Sequence, residues 1–267
     1  AQQMGKVAVG ARHACGIAGY GSLVCWGDNA HGQLNAPAPD QFTSLDASAN
    51  TTCAITNLRM KCWGEHAHDI PAFNSRIGNE MLAVGRAHSC GLRRNGTASC
   101  WGDGSDGQRQ VPAAPLALIE AYADQSCAID GDNRVQCWGG GEGQNPVPMP
   151  DRVRDIAIGE RNGCAVRVDG TLACWGWNGN GQSTPPPGRF RAVSTALNHS
   201  CAVGADARVS CWGYNADGQS TPPSRTFRSV DNGERHSCGI ATDGTMHCWG
   251  LGSEGQTTPP DIDGVTY

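Results

Sequence analysis

Fourteen cysteines dominate the chemistry open to this chain of 267 residues. They fall as Cys15/Cys25, Cys53/Cys62, Cys90/Cys100, Cys127/Cys137, Cys164/Cys174, Cys201/Cys211 and Cys238/Cys248. Zinc sites take ligand pairs about two to four residues apart, and these partners stand nine or ten apart. The expected chemistry is oxidation to one disulfide within each pair, which places the chain in an oxidising, extracellular setting. No thiol then remains as a nucleophile. No Gly-x-Ser-x-Gly elbow, His-Glu-x-x-His, P-loop or dinucleotide fingerprint occurs either. The reading is a secreted protein that is not an enzyme, with no metal and no cofactor.

Other residue types keep step with the cysteines. His13, His88, His199 and His236 each stand two residues before the first cysteine of a pair. A ring of imidazoles could hold a metal or sense pH. Thr51, Gln125 and Asn162 break that symmetry, so a structural role is favoured. Arg12, Arg86, Arg161 and Arg235 lie beside the same position, near Asp124, Glu160 and Glu234. Their planar donors suit carboxylate or hydroxyl-rich ligands, and a salt-bridged solvated rim is the plainer alternative. Seven of the eight tryptophans sit in Cys-Trp-Gly and are expected in the core, each against the disulfide side of the next unit. Trp177 stands outside that pattern, and Tyr214 occupies its position one unit later. Trp177, Tyr214, Arg12, Arg86, Arg161, Asn198 and Arg235 form the candidate ligand-binding set. Asn50, Asn95 and Asn198 begin glycosylation sequons.

The elements that position these residues repeat every 37 or 38 residues, in seven copies. In Cys164–Cys174, alternating runs flank Asp169-Gly170, a hairpin signal. A three-residue loop with Gly170 left-handed sets Cys164 opposite Cys174, within disulfide reach. A two-residue turn at Asn57-Leu58 does the same for the shorter second unit. A further apolar run precedes each hairpin (Val7-Ala8-Val9, Leu45-Asp46-Ala47, Ile156-Ala157-Ile158), and a Gly-Gln, proline-rich segment follows. Several short strands per unit without helical periodicity indicate an all-β, closed seven-bladed β-propeller spanning 1–267 as a single domain, one intra-blade disulfide per blade. Aligned by period, 261–267 overlies 1–7, so overlap of the terminal segments is expected to close the ring and remove exposed edges. Units two and four alter the Gly-Gln ending at 63–71 and 138–144, where any repeated ligand site should be changed.

Charged residues are 17% and the net charge is −5, which disfavours nucleic acid as a partner. No run approaches the roughly 18 apolar residues of a membrane span, and no leader peptide is visible at the start.

His199-Ser-Cys-Ala-Val together with Val209-Ser-Cys-Trp-Gly-Tyr-Asn-Ala-Asp-Gly-Gln219-Ser-Thr-Pro resembles the repeat of the regulator-of-chromosome-condensation family. The resemblance covers essentially the whole chain and implies a seven-bladed propeller. In period length the units are most similar to the bacterial type II β-lactamase inhibitory proteins, and the cysteine pairs resemble those of crinkly-type receptor kinase ectodomains. Family members act as exchange factors, inhibitors, receptors and sugar binders, so the resemblance specifies fold more than function. The segments before the His-Ser position are polar and carry no aromatic anchor. That favours glycans as ligand, bound by a multivalent carbohydrate-binding lectin. A protein ligand is the alternative, taken by an inhibitor or a receptor-like ectodomain.

Overall fold

A computed structural model describes residues 5–38, 41–56, 59–66, 79–113, 115–140 and 152–260. Their strands form seven three-stranded antiparallel sheets, one per repeat. Sheet one is β1 (Lys6–Val9), β2 (His13–Ile17) and β3 (Leu23–Gly27); sheet two is β4 (Phe42–Ser48), β5 (Thr51–Thr56) and β6 (Arg59–Gly64). Sheet three is β7 (Asn79–Val84), β8 (His88–Arg93) and β9 (Ala98–Gly102); sheet four is β10 (Leu116–Tyr122), β11 (Gln125–Asp130) and β12 (Val135–Gly139). Sheet five is β13 (Val153–Ile158), β14 (Asn162–Arg167) and β15 (Leu172–Gly176). Sheet six is β16 (Phe190–Thr195), β17 (His199–Gly204) and β18 (Val209–Gly213). Sheet seven is β19 (Phe227–Asn232), β20 (His236–Ala241) and β21 (Met246–Gly250).

Turn chemistry sets the register. Gly170 adopts φ 90° and the Arg167 amide donates to Thr171 at 2.8 Å, which is the expected bulged loop. Cys164 then pairs with Cys174, and every other cysteine meets its partner in the same way. The disulfides are Cys15–Cys25, Cys53–Cys62, Cys90–Cys100, Cys127–Cys137, Cys164–Cys174, Cys201–Cys211 and Cys238–Cys248, each within its own sheet, with Cα atoms 4.0 or 4.1 Å apart. The two members of a pair differ in burial. The first, on a middle strand, is fully buried, whereas the second (Cys25, Cys62, Cys100, Cys137, Cys174, Cys211 and Cys248) is half-buried on the third strand, at the sheet's edge. In sheet two the pairing of Thr56 with Arg59 fits the shorter spacing, while Asn57-Leu58 lies outside the described residues.

The core lies between sheets. Middle strands such as β5, β11, β17 and β20 are buried along their whole length, because a neighbour covers each face. Each Cys-Trp-Gly tryptophan packs against the disulfide of an adjacent sheet, as expected, but that sheet is the preceding one rather than the next. Trp63 meets Cys15 and Cys25, Trp101 meets Cys53 and Cys62, and Trp138 meets Cys90 and Cys100. Trp175 meets Cys127 and Cys137 of sheet four, Trp212 meets Cys164 and Cys174 of sheet five, and Trp249 meets Cys201 and Cys211 of sheet six. Trp26 of sheet one packs on Cys238 and Cys248 of sheet seven, so the last sheet meets the first through the same contact that joins consecutive ones.

Hydrogen bonds reinforce this stacking. The indoles of Trp26, Trp63, Trp138, Trp212 and Trp249 each donate to the backbone carbonyl of a Gly-Gln glutamine in the preceding sheet, at 2.8–3.0 Å. Those glutamines are fully buried, and each accepts with its side-chain oxygen from the amide two residues earlier. The Gly-Gln ending is therefore a socket for the next sheet's tryptophan. The first strand of every sheet lines one central cavity of about 310 Å³. The overlap of 261–267 with 1–7 falls largely outside the described residues.

Candidate functional site

Two places gather polar chemistry: the face carrying the turns between first and second strands, and the central cavity. On the face, each turn holds the segment that follows its own sheet's last strand. The amides of Asp28, Asp103, Trp177, Tyr214 and Leu251 donate to the carbonyls of Arg12, Ala87, Arg161, Asn198 and Arg235, at 2.8–3.0 Å. All seven candidate residues therefore share one face.

Their surroundings differ. Trp177 is 46% exposed, and its ring lies over Gly179, where an added Cβ would fall 2.3 Å from the indole. Tyr214 is half-buried on the neighbouring sheet. Between them the Asn180 amide donates to Asn198 at 3.3 Å. Arg86 reaches Glu160 at 3.2 Å and Asp124 at 3.8 Å, spanning three sheets. Arg235 pairs with Asp217 at 2.7 Å. These two arginines belong to the salt-bridged rim, and solvent screening limits what each pair contributes. Arg12 and Arg161 are exposed, with no ion pair among the described residues. At the Trp177 position the other sheets carry Asp28, Glu65, Asp103, Gly140 and Leu251, so the aromatic platform is confined to sheets five and six.

The histidines are structural. His13, His88 and His199 hydrogen-bond through Nε2 to Thr52, Ser126 and Ser237 of the following sheet, at 2.7–2.8 Å. Burial pushes their pKa values down to about 4, holding the rings neutral. His236 faces Ala14, the one apolar residue with a side chain at that position, and its ring meets no hydroxyl. The sequons remain sequence motifs. Asn95 sits at an exposed hairpin, where its side-chain oxygen accepts from Thr97.

Sequence reasoning missed the cavity. Asp46, Glu120, Asp155 and Asp231 reach it from four sheets, alongside Lys6. First strands are edge strands there, with unpaired amides pointing inward. Asp46 caps the Val84 amide at 2.6 Å, Asp155 caps Val193 at 2.9 Å and Asp231 caps Val9 at 2.8 Å, each on the following sheet. The available signal was an acidic residue recurring opposite the first cysteine (Asp46, Glu120, Asp231) inside otherwise apolar runs. Among the described residues no three His, Cys, Asp or Glu side chains are grouped to hold a metal ion, and no helix is long and apolar enough to cross a membrane.

Comparison with solved structures gives the architecture its relatives. The CRINKLY WD40 ectodomain of the Arabidopsis thaliana receptor kinase ACR4 superposes with TM-score 0.80 at 24% identity, covering 96% of this chain and 98% of that one. The entire ectodomain of the Physcomitrella patens receptor kinase CR4 gives 0.80 at 21%, covering 94% and 74%. Prp20p of Saccharomyces cerevisiae, described with its binding to Gsp1p and histones, gives 0.74 at 17%, covering 86% and 80%. No curated protein matches the chain by sequence. The regulator of chromosome condensation (RCC1) repeat matches residues 6–33, 82–108, 153–182, 190–219 and 227–256. The unmatched second and fourth units carry Ser48 and Tyr122 before the inner turn, where the other five have Gly10, Gly85, Gly159, Ala196 and Gly233. With most of its length matched unit by unit, its cysteines paired within sheets and its tryptophans seated sheet to sheet, the chain belongs to the RCC1 repeat family.

Proposed function

We propose that this chain is a non-enzymatic, extracellular binding module: one closed ring of seven sheets that takes a protein partner on its turn face. The observation that carries this reading is Trp177, 46% exposed beside Tyr214 on the adjacent sheet. A large apolar ring left in solvent on a rigid, disulfide-stapled scaffold is the kind of anchor that dominates protein interfaces. Arg161 and Asn198 flank it, and Arg12, Arg86 and Arg235 complete a polar rim. Fold likeness to receptor ectodomains and seven disulfides support an extracellular setting. Ring closure is supported by Trp26 on Gln256 and by Asp231 on Val9.

A glycan ligand is the second reading, favoured by the Asn180–Asn198 amide pair beside the Trp177 ring, a stacking face with hydrogen-bonding neighbours. It would be one or two sites, because the other sheets lack the aromatic residue. The immobilised chain is probed with a glycan array and with extracellular fluid from its source. A protein retained by the wild type and released at least tenfold more readily by Trp177→Ala, at unchanged melting temperature, supports the first reading. Array binding that free sugar competes, lost in Trp177→Ala, supports the second. Ligand binding indifferent to both Trp177→Ala and Tyr214→Ala would remove this face from consideration.

A further inference from the structure

The central cavity holds titratable groups that binding on the turn face leaves unused. They enter from five first strands: Lys6 from β1, Asp46 from β4, Glu120 and Tyr122 from β10, Asp155 from β13 and Asp231 from β19. Strands β7 and β16 contribute no titratable side chain to the described lining. Outside the wall, Arg86, Glu160 and Glu234 act on Tyr122 from the turns, and Arg154 acts on Asp155 from its own strand.

These groups are unevenly supported. Asp46, Asp155 and Asp231 each cap a backbone amide of the following sheet, and Asp231 also accepts from Ser194 at 3.0 Å. Lys6 donates to Ser44 at 3.2 Å. Glu120 has no hydrogen bond among the described residues and faces Asp46, Asp155 and Asp231. Full ionisation would set four negative charges against one positive charge in a narrow, protein-walled space, where both desolvation and repulsion oppose the charged forms. Burial, with the neighbouring carboxylates second, holds Asp46 and Glu120 well above the ordinary carboxylate range. Burial pushes Asp155 and Asp231 up to about 6 and draws Lys6 down.

We propose that the channel is a proton-operated clamp: proton uptake by Glu120 and Asp46 removes the repulsion across the cavity, while their neighbours keep the edge amides capped, so the sheets hold together more tightly in mildly acidic surroundings than in alkaline ones. A protonated carboxyl group still accepts through its carbonyl oxygen, so loading the proton does not cost the caps. The sign follows from linkage. A carboxyl group that keeps its proton to higher pH in the folded chain than in the unfolded one weakens the fold as pH rises through its folded value.

Glu120→Gln keeps the shape and removes the charge. Melting of this variant and of the wild type is followed from pH 5 to 8.5 by circular dichroism. The buried histidines titrate alike in both proteins and cancel from the difference. The variant is expected to melt about 2–4 °C above the wild type at pH 8.5, with the gap narrowing steadily down to pH 5. A gap that does not change with pH, or a variant that melts lower at pH 8.5, overturns the clamp. Asp46→Asn retains an acceptor for the Val84 amide and is expected to show the same narrowing gap. If Glu120→Gln does not fold, Asp46→Asn decides alone.

Discussion

Individual residues explain where the repeat bends its own rules. Hairpin positions that need a left-handed backbone carry Gly96, Gly170 and Gly244, at φ 80–90°, in three sheets. Sheet six places Ala207 there at φ 66°, where Cβ crowds the following carbonyl. Ala207→Gly is therefore expected to stabilise the chain by about 0.5–1 kcal/mol, the relief of strain exceeding the added freedom of the unfolded chain. Urea unfolding measures it, and a lower midpoint would mean that the turn relaxes elsewhere. Glycines on the inner turns serve another purpose. A Cβ at Gly85 would fall 2.2 Å from the His88 ring, so the bare backbone is what lets the imidazole lie buried.

At the level of elements, sheets are joined by sockets, and a socket can be emptied one bond at a time. Trp138→Phe keeps an aromatic ring on the Cys90–Cys100 disulfide but withdraws the donor from the Gln108 carbonyl. An expected loss of about 1–3 kcal/mol follows, because a buried acceptor is left without its partner. Denaturant titration reads it, and no loss would show that the contact is packing alone. The seam between sheets seven and one lacks a hydroxyl that the seams between sheets five and six and between six and seven possess. Ser200 and Ser237 donate to the Gln182 and Gln219 carbonyls, and Ser237 also meets His199. Ala14 takes that place at the seam, so neither Gln256 nor His236 receives a hydroxyl. Ala14→Ser should give His236 a hydroxyl partner and the Gln256 carbonyl a second donor beside Trp26, and raise stability by about 1–2 kcal/mol in the same titration. Destabilisation would mean that the seam has no room for one oxygen.

Across the whole molecule, two buried sets of titratable groups pull against each other. His13, His88 and His199, held near 4 by burial, and His236, held near 3, have folded values below the ordinary 6.5. Their contribution to stability is complete above that value and is lost as pH falls from 6.5 towards 4, where the unfolded chain binds the protons. Asp155 and Asp231, raised to about 6 from 3.8, act in the opposite sense, gaining stability as pH falls through the same window. His88→Asn, which copies Asn162 of sheet five, removes one proton from the first set. Its acid-unfolding midpoint is expected at lower pH than that of the wild type. An unshifted midpoint would mean that His88 does not resist protonation in the fold.

The seven-fold repeat was legible from its 37- or 38-residue period, and the hairpins and every disulfide partner from local pattern, because each pairing joins residues only nine or ten apart. The core role of the Cys-Trp-Gly tryptophans was legible too, since strand alternation sends Cys and Trp to opposite faces. Which sheet receives each Trp was not, and the expected direction was reversed, since stacking order between sheets leaves no local trace. The same holds for the half-buried setting of Cys137 and Cys211, which depends on how far the following sheet's Trp175 and Trp249 cover them. The candidate residues share one face, yet only the folded chain shows Arg86 and Arg235 committed to ion pairs and Trp177 left open. The channel carboxylates were hidden for the same reason: Asp46, Glu120, Asp155 and Asp231 are about 35 or more residues apart in sequence and meet only when seven first strands converge on one axis. Local spacing decides what each unit is; only convergence decides which charges must share a space.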